Sequence, residues 1–153
     1  MNTTRTTLAA LSLALSFGAA SAAELSWTAT SYLTKADQAT GEFSRRGLAM
    51  FGKGEVVPYT MEGRILSVEG NVQTYSSKIV YTFDDGSTLV QEGQGRVERQ
   101  SPARNTQTGT GRFTSGTGRW AGVSGSTSSA GRGLTVQGDS YTEFKAEYTL
   151  PAK

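Results

Sequence analysis

The sequence predicts an all-β fold: one antiparallel sheet of roughly eight strands, closed or nearly closed into a barrel. Three observations carry this. Beyond the N-terminal segment, no window of a dozen residues shows a convincing helical period. Short runs of alternating apolar and polar residues recur instead, separated by turn signals and rich in Gly and Thr. The chain also has no cysteine, so packing and hydrogen bonding must hold the sheet together. Closure into a barrel removes the edges that such a sheet would otherwise expose.

The N-terminal segment is predicted to be a secretory signal. Met1 to Thr7 carry one basic residue, Arg5, and no acid. Leu8 to Ala20 are apolar or small, and Ala20-Ser21-Ala22 has the small-x-small form of a cleavage site. The apolar run is too short for a membrane span, which needs about 20 residues. The expected organisation is therefore a signal peptide over residues 1–22 and one domain over 23–153. The expected location is the periplasm or the extracellular space, with no membrane insertion after cleavage.

Leu25, Trp27, Ala29, Ser31 and Leu33 alternate with Ser26, Thr28, Thr30 and Tyr32, the period of a strand with one buried face. Lys35 to Gly41 reads as a turn. Glu42 to Tyr59 is weakly patterned, and a short strand is expected at 47–51 with a turn or bulge at Gly52 and Gly54. Residues 62–72 predict a strand with Leu66, Val68 and Val72 on one face. Tyr75 to Phe83 predicts the next, with Ile79, Tyr81 and Phe83 together. Asp84-Asp85-Gly86-Ser87 is a hairpin turn, because Asp-Gly supplies the positive φ of a tight connection. The return strand spans 88–98 and carries Leu89, Val90 and Val97. Arg99 to Thr108 reads as a polar loop. In the last strand Phe144, Ala146, Tyr148 and Leu150 alternate with charged and polar residues.

Between these lies Gly109 to Gly138, with nine of the nineteen glycines. Gly-Thr-Gly-Arg-aromatic occurs twice, at Gly109–Phe113 and Gly116–Trp120. A phosphate cradle would need a following helix, and nothing helical follows. A flexible linker is disfavoured by the regular Phe113, Trp120, Val123, Leu134 and Val136, except at Ser124–Ala130. Strand and tight turn fit best, with Phe113 and Trp120 in the core and Arg112 and Arg119 at the rim or outside.

Gly116-Thr117-Gly118-Arg119-Trp120-Ala121-Gly122-Val123-Ser124-Gly125 resembles a segment of the allene oxide cyclase and dirigent barrel superfamily. Tyr81-Thr82-Phe83-Asp84-Asp85-Gly86-Ser87 is similar to the hairpin upstream of it in bacterial relatives. The resemblance implies a calycin-like barrel of eight antiparallel strands around a cavity. It implies a small apolar or phenolic ligand there, cofactor-free isomerase or cyclase chemistry in some members, and dimers or trimers in others. The catalytic residues of the plant enzymes match no positions here.

Composition narrows the chemistry. There is no His and no Cys, which removes the usual zinc, copper and haem ligands and the commonest general base. No metal and no cofactor is expected. Without Arg5 the chain has fourteen basic and thirteen acidic side chains, interspersed, so nucleic acid is not an expected partner. Glu62 with Arg64, and Glu92 with Gln94 and Arg96, are spaced two apart on strand faces; solvated faces are the plain reading. In a ligand-holding barrel one such set would line the lumen, where a desolvated acid moves a proton. Glu92 and Glu62 are thus the catalytic candidates. Tyr81, Trp120, Tyr148 and Arg96 are the ligand-binding candidates, with core packing as the alternative for the aromatics. The leading function is an exported barrel that binds a small molecule; the alternative is a non-enzymatic envelope or extracellular interaction module.

Overall fold

The computed structural model describes residues 22–102 and 104–152. The expected signal peptide therefore lies, except for Ala22, outside the described residues. Eight strands follow one another: β1 (Ala23–Ala36), β2 (Glu42–Met50), β3 (Val56–Glu69), β4 (Val72–Thr82), β5 (Thr88–Ser101), β6 (Arg104–Gly116), β7 (Ser124–Gly133) and β8 (Ser140–Thr149). Each pairs antiparallel with the next, and β8 returns to β1, with Ala23 opposite Tyr148 and Ser31 opposite Ser140. The barrel is closed, as the sequence predicts.

The hairpin at Asp84–Ser87 forms as expected. Gly86 has φ +78, and its N–H donates to the Phe83 carbonyl at 2.9 Å. The Asp85 carboxylate accepts from the Ser87 N–H at 2.9 Å. A short 3-10 turn at Gly52–Gly54 links β2 to β3, and another at Gly118–Trp120 links β6 to β7.

Three expectations need correction, and for related reasons. Residues 99–101 and 104–108 are strand rather than loop: β5 runs to Ser101 and β6 begins at Arg104. Ser124–Ala130 lies within β7, and β2 begins at Glu42 rather than 47. Apart from Phe43, the inward positions of these stretches carry polar or minimal side chains, among them Arg45, Asn105, Gln107 and Ser129, so the apolar alternation that marks a strand is missing. Leu66 and Val68 are the reverse case. They lie on the outer wall, 52% and 66% exposed, because the inward series of β3 is Val57, Tyr59, Met61, Gly63 and Ile65.

The barrel has two unlike halves. At the end bearing the two 3-10 turns, the interior is filled by aromatic rings. Trp27 stacks on Phe51 and Phe144, with centroids 5.2 and 5.0 Å apart, and meets Tyr81 edge-on at 5.9 Å. Phe83, Trp120 and Tyr148 continue the packing toward that rim. Burial of this much apolar surface is the main favourable contribution to stability. Toward the other end, where the β1–β2 and β7–β8 loops lie, the interior is hollow.

Candidate functional site: the hollow half of the lumen

The cavity has a volume of about 390 Å³, toward the lower end of the roughly 300–1,000 Å³ of small-molecule pockets. Its wall is built by strand parity. Odd-numbered residues of β1 to β6 point inward, then Gly125, Thr127 and Ser129 of β7 and Thr142 and Phe144 of β8.

The wall stays open because aromatic rings lie flat against glycines on neighbouring strands. Phe43 is paired with Gly63, Tyr59 with Gly47, and Tyr75 with Gly95. A Cβ on any of these glycines would run into the ring opposite it. This is the cross-strand aromatic cover of glycine that sheets use at tight curvature. Phe43 and Tyr75 also meet edge-on, with centroids 5.6 Å apart. Met61, Ile65, Ile79 and Val97 complete the apolar part of the wall.

The floor is a hydrogen-bonded chain. The Trp27 indole N–H donates to the Tyr81 hydroxyl at 3.2 Å, and Tyr81 donates to Gln91 Oε1 at 3.3 Å. Gln91 Nε2 donates to Thr127 Oγ1 at 2.9 Å. All four residues are buried, and Gln91 presents this chain to the cavity above. Burial holds the Tyr81 hydroxyl far above its ordinary pKa, so it stays a neutral donor.

One cation sits in the side wall. Arg45 Nε donates to Ser31 Oγ at 2.9 Å, and Nη2 donates to Ser140 Oγ at 3.0 Å and to the Gly138 carbonyl. Burial pushes its guanidinium below its ordinary pKa, while Tyr59, Tyr75 and Asp139 act the other way. Tyr59 and Tyr75 have their own hydroxyl pKa raised by burial. Among the described residues, Arg45 and Arg99 are the charged side chains that line this cavity, and no carboxylate lines it.

The sequence-derived candidates fall elsewhere. Glu62 and Glu92 have outward parity and are exposed. They belong to a ladder of alternating sign, Glu62–Lys78–Glu92–Arg112, each opposite the next across β3 to β6. This ladder runs through a broader, more open concavity of about 930 Å³ on the outer wall. The outer concavity is larger, but its charges alternate in water and it encloses nothing. Arg96 is also outside, bonded to Glu98 at 3.3 Å with both side chains about half exposed. Tyr81 belongs to the hydrogen-bonded chain of the floor, beneath Gln91, and does not itself line the cavity. Trp120 and Tyr148 pack together in the filled half, with centroids 5.6 Å apart. None of the six lines the cavity. The structure brings together Tyr81, Trp120 and Tyr148 as packing and leaves Glu62, Glu92 and Arg96 on the outer wall.

Arg45, Tyr59 and Tyr75 were missed by sequence reasoning. A signal for them did exist. An Arg and two Tyr at odd positions share the inward parity of their strands, but the parity of β2 cannot be set where its apolar alternation is absent.

The closed, eight-stranded antiparallel barrel, with one filled and one hollow half, has a dirigent-like fold. A solved structure, that of the pterocarpan synthase dirigent protein GePTS1, is similar over 94% of this chain and all of that one, with a TM-score of 0.54 and 12% sequence identity. At that identity the likeness establishes the fold. No family model matches the sequence, and no curated protein matches it.

Proposed function

We propose that this chain is an exported binding barrel that holds a small apolar or phenolic molecule in the hollow half of its lumen. The observation that carries this reading is the cavity itself: a concave, largely apolar and aromatic wall, with a few polar groups converging from Arg45, Tyr75 and Gln91. The name of the similar protein, a pterocarpan synthase, is in keeping with a small-molecule guest. The resemblance to allene oxide cyclases extends the reading to cofactor-free cyclisation. In this lumen such chemistry would act through confinement and orientation of the guest, because the acids proposed from sequence stand outside.

The test is fluorescence titration with the neutral apolar probe N-phenyl-1-naphthylamine. Ile79→Trp, which places a larger side chain in the wall, is expected to weaken binding by about tenfold or more while the circular dichroism spectrum is retained. Equal binding by both proteins, or none by the wild type, overturns the reading. Export is tested separately, by cell fractionation and the mass of the exported chain, which should begin at Ala23 or Glu24.

A further inference from the structure

The charge of the cavity is lopsided. The chain carries thirteen acidic residues, yet among the described residues none lines the lumen, while Arg45 and Arg99 do. Arg99 lies exposed near the mouth, so solvent screens it. Arg45 is different. It is partly buried in the side wall, and no carboxylate lies within 4.0 Å of it among the described residues.

A guanidinium taken out of water without a counter-ion carries a desolvation penalty that neutral acceptors only partly offset. Here two hydroxyls and one carbonyl hold Nε and Nη2. These fix the plane of the group. They leave Nη1 without a hydrogen bond to any described residue, and Nη1 is not sealed from solvent. The Tyr75 hydroxyl is likewise unsealed and makes no hydrogen bond among the described residues, and burial keeps it protonated and able to donate. A cation held in place by Ser31 and Ser140, with donors left over and no carboxylate in ion-pair contact, since Asp139 acts on it only from beyond that range, is arranged for an anion supplied from outside.

We propose that the lumen selects monocarboxylic acids with a compact apolar or aromatic body, the carboxylate pairing with the free Nη1 edge of Arg45 and the body lying on the wall of Phe43, Met61 and Ile79. This rests on the lumen-binding reading above and gives that site its ligand class. An anion on Arg45 relieves the guanidinium's desolvation, whereas the matching alcohol leaves it unpaired.

The experiment compares trans-cinnamate with cinnamyl alcohol by calorimetry near neutral pH, on the purified wild-type protein and on the Arg45→Gln and Arg45→Lys variants. N-Phenyl-1-naphthylamine binding reports the integrity of the lumen in each. The expected result is that wild type binds cinnamate about tenfold or more tighter than the alcohol. Arg45→Gln should abolish that preference, and Arg45→Lys should retain part of it. Equal affinity for acid and alcohol in wild type, no binding of cinnamate, or a preference that survives in Arg45→Gln each overturns the inference. Retained binding of the neutral probe in those cases leaves the lumen-binding reading standing. Loss of the neutral probe from wild type removes both.

Discussion

The indole N–H of Trp27 and the hydroxyl of Tyr81 lie 3.2 Å apart beneath the cavity, and this contact joins the two halves of the barrel. Trp27 is the hub of the aromatic packing on one side. Tyr81 hands the hydrogen bond on to Gln91, which forms the floor on the other. Tyr81→Phe keeps the ring and its apolar contacts but strands a buried N–H and a buried amide oxygen. The expected loss of stability is about 1–3 kcal/mol, read from urea unfolding at unchanged m-value. A midpoint equal to that of the wild type would show that the chain of bonds contributes nothing.

Arg119 ties together the loops at the filled end. Its Nη2 is 2.6 Å from Glu55 Oε1, its Nε is 3.9 Å from Asp85 Oδ2, and its guanidinium lies 4.2 Å from the Phe83 ring centroid. The side chain is 40% exposed, so the ion pairs are screened and each is worth at most about 1 kcal/mol. Arg119→Ala should lower stability by roughly 1 kcal/mol at low salt. The gap from wild type should narrow in high salt as the ion pairs are screened. A salt-independent gap would assign the whole effect to packing on Phe83.

The filled half was legible in the sequence and the hollow half was not. Where an interior is packed, its residues must be large and apolar, so Trp27, Tyr81, Phe113 and Phe144 stand out at alternate positions of β1, β4, β6 and β8. Where it is hollow, the inward positions are free to be Gly, Ser, Gln or Arg. Arg45 therefore looks like one more surface charge beside Arg46, and the Ser/Gly run of β7 looks like a linker. The outward candidates mislead for the complementary reason. Glu62 and Glu92 are conspicuous because charge patterning is conspicuous, yet their partners Lys78 and Arg112 sit opposite them on adjacent strands. That register is a property of the sheet and is invisible in any one strand.

The hairpin at Asp84–Ser87 gives the fold an acid-sensitive point. The Asp85 carboxylate accepts from the Ser87 hydroxyl and the Ser87 N–H, with the Arg119 charge adding to the effect, and these lower its pKa below the ordinary aspartate value. A carboxyl whose pKa is depressed on folding contributes stability that is fully present above its unfolded pKa, about 3.9. That contribution fades as the pH falls through the lower folded value. Asp85→Asn removes the titration. The wild type should therefore be the more stable of the two near neutral pH, and the difference should shrink below about pH 4. A difference in urea midpoint that is constant with pH would show that Asp85 acts only as a neutral turn residue.

Gly63 and Phe43 sit directly opposite each other on β3 and β2, and the ring occupies the space a Cβ on Gly63 would need. Gly63→Ala must therefore push Phe43 off the wall. Overpacking of this kind costs about 1–3 kcal/mol, and the displaced ring has the cavity to move into. Both stability and occupancy by a neutral fluorophore should fall together. The two effects separate in the double variant. Phe43→Ala alone removes buried ring contacts and is destabilising in its own right, but in its presence the Gly63→Ala methyl group meets no ring. The second substitution should then be close to neutral, so the pair should show a coupling energy of about 1 kcal/mol or more. If the losses from the two single variants simply add, then the ring does not depend on the missing side chain, and the flat aromatic wall does not keep this lumen open.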